Sequence, residues 1–452
     1  LFFGYYLMSF HRKKRLFPKL PPKLVQQIAI IYLVAVIFST WGFATGFFRV
    51  FPFQTIKKVK EETEELFLRG RVQAQLRKNK FDFTGFKVAN NAGVFDSKKA
   101  GFVDNGYLLV TRFSVVENQA IVELVRLKDH TVLHKWVPPL LEIINRSKTF
   151  SKTSAQFQII HPWLLKDGSL VFHPNYGPLT RIDANSNIIW ILDDNFHHAI
   201  EMGPDGNFYI PTVMDAPLLP PEIEYQNDAY AVVSQDGRLL SKHSAGKILL
   251  DNGYDALFLG IGEFEEDRLH LNDAQPVWKD AGEARKGDIA LSMRNISTIM
   301  LYRPSTGKVI WLKTGPWLNQ HDIDILANGT YSIYGNDMYR YKDKTKKTAE
   351  MSAFGHSDIY VYDPTTEKTT KPYTEMFKKL ELYTGTAGLA RILPNGDAFI
   401  EEYDTHRLLR FSPSEERWSY VNGAGADKTT SGELGWCRYF TEQEMKELKW
   451  KM

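Results

Sequence analysis

The chain has 452 residues, 43% hydrophobic and 24% charged, a globular balance that excludes disorder over most of its length. Its 56 Lys+Arg against 53 Asp+Glu leave a formal charge of +3, too small a surplus for a dedicated nucleic-acid binder. The single cysteine, Cys437, excludes an internal disulfide framework and any cysteine-rich metal or iron–sulfur site, and reads as a packed structural thiol.

Residues 1–23 are basic, with Arg12, Lys13, Lys14, Arg15, Lys19 and Lys23 and no acidic residue. Residues 24–48, LVQQIAIIYLVAVIFSTWGFATGFF, carry no charge. At about 1.5 Å per residue they make a helix of roughly 37 Å, enough to cross a hydrocarbon core of about 30 Å with some tilt. A single transmembrane helix is expected there. Fewer basic residues follow it, Arg49, Lys57, Lys58 and Lys60. The charge bias therefore predicts a cytoplasmic N-terminus and a periplasmic or otherwise extracytoplasmic remainder. The apolar run is longer than the core of a usual secretion leader, and no clean small-x-small site follows it, so an uncleaved anchor is expected.

Residues 49–80 are charge-rich. Glu61, Glu62, Glu64 and Glu65 precede Arg69, Arg71, Arg77 and Lys78, the order that suits a helix dipole, and a juxtamembrane helix or stalk is expected.

From 81 to 452 the pattern changes to short Val, Ile, Tyr, Phe and Trp runs broken by tight turns. Asp-Gly or Asn-Gly recurs in LLKDGSLVFH (164–173), EMGPDGNFYIP (201–211), VSQDGRLL (233–240), ILANGTYSIYG (325–335) and ILPNGDAFIEE (392–402). These dipeptides tolerate positive φ and mark hairpins. Second strand–turn–strand frames follow at 179–192, 299–313 and 359–373. Two hairpins in succession make a four-stranded antiparallel sheet. Such sheets repeating about every 40–60 residues predict an all-β fold, a six-bladed β-propeller. The last stretch, TEQEMKELKW (441–450), reads as a short helix with Thr441 and Glu444 forming a capping box.

Histidines hold a regular place before the turns. His198 lies seven residues before Asp205, His321 seven before Asn328, and His161 six before Asp167. His270 opens a similar strand in RLHLNDAQPVW, and Gly388 takes the matching position in the blade ending at 402. These offsets place the imidazoles at the starts of inner strands, around one mouth of the central channel. Arg294, in LSMRNIS, points into the same mouth. Such a set can be structural, can hold zinc or copper, or can transfer a group. In the last case an unprotonated imidazole attacks while a guanidinium holds sulfuryl or phosphoryl oxygens. No HxH or HExxH spacing is present, and neither a metal nor a cofactor is expected.

HHAIEMGPDGNFYIP, LHLNDAQPVW…GDIALSMRNISTIMLYRPSTGKVIWLKTGP and NQHDIDILANGTYSIYGND resemble the bacterial PAPS-independent arylsulfotransferases, best over about 155–340. The resemblance implies a six-bladed propeller that moves a sulfuryl group from a phenolic sulfate ester to a phenol, in ping-pong fashion through a sulfohistidine. It assigns the nucleophile to His321 in Asn319-Gln320-His321-Asp322. It assigns charge stabilisation to Arg294 and His270, and acid–base duty to the His197/His198 pair, with His198 preferred by its spacing. Asp322 or Asn319 is the candidate to orient an imidazole. The apparent anchor and the lack of a cysteine pair depart from the familiar soluble enzymes. Two other readings stand beside this one. One is a non-catalytic propeller subunit of a larger membrane complex. The other is a binding or metal-dependent propeller for a different small molecule. The sequons at Asn145, Asn295 and Asn328 read as chance occurrences.

Overall fold

The computed structural model describes residues 92–150, 152, 157–342, 349–423 and 430–450, together with Ile30, Leu33, Lys87 and Val88. Apart from Ile30 and Leu33, which are helical, the expected basic segment (1–23), transmembrane helix (24–48) and stalk (49–80) lie outside the described residues. Among the described residues no helix is long and apolar enough to cross a membrane. The chain divides into a unit Leu1–Thr84 and a unit Gly85–Met452, and the architecture below belongs to the second.

That unit is all-β and propeller-like, built from consecutive antiparallel sheets. The predicted turns close as expected: Gly206 and Gly329 sit at φ 78° and 84°, where a side chain is strained. Asp205 and Asn328 accept the backbone N–H two residues on. One sheet runs Leu271–Pro276, Ile289–Met293, Thr298–Arg303, Lys308–Thr314. The next runs His321–Ile325, Tyr331–Gly335, Asp358–Asp363, Lys368–Thr370. A third holds Leu389–Ile392, Ala398–Glu402, Arg407–Phe411 and Glu416–Val421, with Phe95–Ser97 as a fifth strand.

The turn spacing predicts six separate blades, and the hydrogen bonding differs. Among the described residues, four sheets of four or five strands stand apart, and one sheet of eight strands covers Ile160–Leu164 to Leu239–Ser244. The cause is local. Phe196, the last residue of the nine-residue strand Ile188–Phe196, pairs both with Gly177 of its own hairpin and with Thr212 of Phe208–Val213.

The ring closes through both ends of the unit. Arg438–Phe440 pairs with Tyr107–Ser114, which continues through Gln119–Arg126 to Thr131–Trp136. Phe95–Ser97 pairs with Glu416–Val421, and Lys87–Val88 with Thr430–Ser431. Apolar side chains from neighbouring sheets fill the space between them. Leu108, Val110, Phe399, Leu408, Trp436 and Tyr439 share one buried cluster across the closure. Burial of aromatics on this scale is what the 13% aromatic content supplies.

Helical and hairpin insertions leave the sheet pattern. The helices Ala245–Asp251 and Asp255–Leu259 precede His270, and the hairpin Met338–Lys342/Ala349–Ala353 interrupts the sheet of His321. The C-terminal helix Glu442–Leu448 carries the expected Thr441–Glu444 capping box.

Candidate active site

The inner strands begin at one rim, and the histidines sit at those beginnings. The backbone there is held in unusual conformations: His161, His198 and His270 lie at φ 41°, 61° and 53°, and Asp322 beside His321 at 54°. Non-glycine residues adopt this region seldom, and such outliers gather at functional sites. Neighbouring strands enforce it. Asp228 accepts the His270 N–H at 2.8 Å, and Asp273 accepts the Ile323 N–H at 3.0 Å. The register slips between Leu271 and Asp273 and between His321 and Ile323, the kind of irregularity that re-aims adjacent side chains.

His198, His270 and His321 converge. One nitrogen of each ring lies within 4.8 Å of one nitrogen of the other two. The His198 ring centroid is 4.9 Å from His270 and 6.0 Å from His321. Trp436 walls the group, 5.8 Å from His198 and 6.0 Å from His321. His161 also touches Trp436, at 5.7 Å, but its Nδ1 accepts the Ile200 N–H and it stays outside the triangle. Arg294 comes from the turn Arg294–Ile296, where its N–H donates to the His270 carbonyl. The side chain is 3% exposed and donates to Asn295 Oδ1 at 3.1 Å. Asn295 in turn donates to the Asp267 carbonyl, tying the arginine to the loop beneath His270.

Each imidazole has its Nδ1 engaged by a different group. Asn336 Nδ2 donates to the carbonyls of Thr384 and Ala387, both at 2.9 Å. Its Oδ1 must therefore accept, and the donor is His321 Nδ1 at 2.6 Å. His321 Nδ1 thus carries the proton, and its Nε2 keeps the lone pair. His270 Nδ1 donates to Asp267 Oδ2 at 2.6 Å. His198 Nδ1 lies 2.7 Å from His197 Nδ1, one donating and the other accepting. Tyr176 packs over His197 at 4.6 Å.

Electrostatics keep the two buried imidazoles neutral. Burial first, and the Arg294 charge second, hold His321 well below the ordinary histidine range. Burial and the surrounding His270, His197, His321 and Arg294 do the same to His198. Burial and the charge of Arg340 bring Arg294 down to about 10, so it stays cationic at neutral pH. Burial opposes ionisation of Asp267, but the His270 hydrogen bond and charge overcome it and leave the carboxyl below its usual range.

The four residues singled out in the sequence, His198, His270, His321 and Arg294, are therefore neighbours. The expected orienting residues are a correction: Asp322 accepts the Ala390 N–H and Asn319 donates to the Met338 carbonyl. Asn336 orients His321 instead. It lies two residues beyond Tyr334, the hairpin partner of His321, so strand register was the signal that would have found it. Asp267, three residues before His270, and Trp436 were also missed. Cys437 is buried, and burial and Glu401 push its thiol well above the usual range.

A cavity of about 730 Å³ runs along the inner strands, with His161 and Asp322 in its wall. Trp163, Trp278, Glu201, Arg391 and Arg438 line it. Two of its cations are already matched, Arg438 by Glu201 and Arg391 by Glu444. The chemically convergent groups lie at the histidine rim.

Against known families, the model described as Arylsulfotransferase (ASST) matches residues 161–423, more than half of the chain. No curated protein matches. Among solved structures, a protein of unknown function from Bacteroides caccae aligns at 11% identity and TM-score 0.48, covering 75% of this chain and 100% of that one. TolB from Acinetobacter baumannii aligns at 9% identity and TM-score 0.43, covering 75% and 67%. A catalytically inactive virginiamycin B lyase from Staphylococcus aureus, with quinupristin, aligns at 11% and 0.39, covering 77% and 99%.

Proposed function

The chain belongs to the arylsulfotransferase family, and on that premise we propose that it moves a sulfuryl group from a phenolic sulfate ester to a phenol through a sulfohistidine on His321. One observation carries the assignment of the nucleophile. Asn336, locked by two backbone carbonyls, fixes the proton on His321 Nδ1 and leaves Nε2 with its lone pair beside Arg294.

In the first half-reaction Nε2 attacks sulfur, an N–S bond forms, and the S–O bond to the aryl group breaks. The neutral imidazole and the anionic ester give a phenolate and a zwitterionic sulfohistidine. The proton on Nδ1 stays in place, and the Asn336 carbonyl dipole stabilises the positive ring. Arg294 and a His270 that carries a proton on both nitrogens, its Nδ1–H held by Asp267 and its Nε2–H facing the substrate, hold the sulfuryl oxygens as preorganised donors. His198, coupled to His197, delivers a proton to the departing phenolate oxygen. The ester's negative charge favours the protonated form of that pair on binding. In the second half-reaction His198 takes the proton of the acceptor phenol, its oxygen attacks sulfur, and the N–S bond breaks.

Two finer points belong to the same reading. Counting the eight-stranded sheet as two blades joined at Phe196–Thr212 gives six blades around the channel. The uncharged run 24–48 with its basic flank supports a membrane anchor with the propeller outside the cytoplasm.

The test is incubation with 4-nitrophenyl sulfate and phenol. Nitrophenolate release that requires the acceptor, with sulfate on His321 by mass spectrometry, is expected. Release that persists in His321→Asn refutes the assignment.

A further inference from the structure

We propose that His198, His270 and His321 form a three-imidazole site for a zinc ion, and that zinc and a sulfate ester occupy this rim in turn. The proposal goes beyond sulfuryl transfer, because it concerns a second ligand for the rings and holds whether or not the transfer takes place.

Three observations carry it. First, one nitrogen of each ring lies within 4.8 Å of one nitrogen of each other ring. Three imidazoles on one tetrahedral ion at about 2.1 Å sit roughly 3.4 Å apart, so side-chain movements of about an ångström complete the triangle. Second, every Nδ1 is already engaged: by the Asn336 amide on His321, the Asp267 carboxylate on His270 and the His197 imidazole on His198. Metal-bound histidines are oriented by such outer partners, carboxylate or carbonyl on the far nitrogen, which leaves the near nitrogen free for the ion. Third, the set is rich in imidazole and contains no thiolate, a donor set suited to zinc, copper or cobalt rather than magnesium or calcium.

Charge defines the fourth position. The Asp267 carboxylate balances part of the ion's charge through His270. Arg294, buried beside the rings, opposes a bare dication and favours one that carries an anion. The fourth ligand is therefore assigned to hydroxide or a small oxyanion held against Arg294. Zinc on Nε2 takes the lone pair that attack on sulfur requires, so the two ligands exclude one another.

The test uses the full chain in detergent, stripped with a chelator and titrated first with cobalt and then with zinc. The expected result is one equivalent of cobalt with the visible absorption of a tetrahedral site, displaced by zinc. Calorimetry should show zinc affinity falling at least about 100-fold in His270→Gln and about 10-fold in Asp267→Asn, the usual cost of losing a ligand's outer partner. Circular dichroism on each variant separates loss of the site from loss of the fold, and Asp267→Asn retains all three ligands. No binding at millimolar zinc, or binding that both variants leave unchanged, overturns the proposal. Transfer activity in chelator is read separately, so a failed sulfotransferase assignment and a failed metal site give different results.

Discussion

Replacing Asn336 with alanine isolates the tautomer argument. The side chain is fully buried and makes three hydrogen bonds, at 2.6 Å to His321 Nδ1 and at 2.9 Å to each of two carbonyls. Without it, a proton on Nδ1 faces no acceptor, which costs about 1–3 kcal/mol for a buried donor. The imidazole then shifts its proton to Nε2, the nitrogen that must attack. At 1.4 kcal/mol per decade, the competent tautomer falls about 5–150-fold, and kcat with it. KM for the ester should change little, because Asn336 touches the ring on its Nδ1 side. The carbonyls of Thr384 and Ala387 lose their donor as well, so global stability should fall by about 2–4 kcal/mol. Steady-state kinetics with 4-nitrophenyl sulfate and phenol give kcat and KM, and imidazole nitrogen NMR gives the tautomer directly. A kcat within twofold of wild type, in a folded variant whose tautomer has moved, would falsify the reasoning.

Burial and the Arg294 charge lower His321, so kcat/KM should stay flat from neutral pH to below 6.5 and fall only in more acidic buffer. A break at or above 6.5 contradicts this. His173, fully buried, is lowered by desolvation to about 4 against an unfolded value of 6.5. The unfolded chain therefore binds the extra proton first, and this residue's stability is intact above 6.5 and lost as pH falls toward 4. The loss is about 3 kcal/mol, and urea titrations at pH 7 and 4.5 should show a shallower pH dependence in His173→Gln. Gly435→Ala would bring a Cβ to 2.0 Å from the Ile159 carbonyl and 3.0 Å from Thr111, so it should destabilise by more than about 3 kcal/mol in denaturant melts.

Much of the fold was legible because its turns need particular residues. Asp205-Gly206 and Asn328-Gly329 announce their hairpins in any sequence, and the histidines keep step with them. The gathering of His198, His270, His321 and Arg294 followed from that spacing. What escaped depends on contacts between distant segments. Asn336 is an ordinary residue just past the strand Tyr331–Gly335 until the register places it diagonal to His321, and its own lock comes from Thr384 and Ala387. Trp436 reaches the rings from a segment far along the chain. The Phe196–Thr212 pair that merges two groups of strands rests on a single backbone match, which no composition pattern records. The hairpin Met338–Lys342/Ala349–Ala353 is rich in lysine and tyrosine, without the Asp-Gly or Asn-Gly turn that marked the others.

Ring closure sets an order of events during synthesis. Trp436 and the strand Arg438–Phe440 leave the ribosome after every rim histidine, yet they complete the first sheet and the wall around the imidazoles. A chain that already contains His198, His270 and His321 but stops short of residue 436 lacks the ring that packs against His198 and His321. Competence at the rim thus arrives in one late step, and a chain interrupted before residue 436 carries the reactive side chains without the environment that makes them reactive.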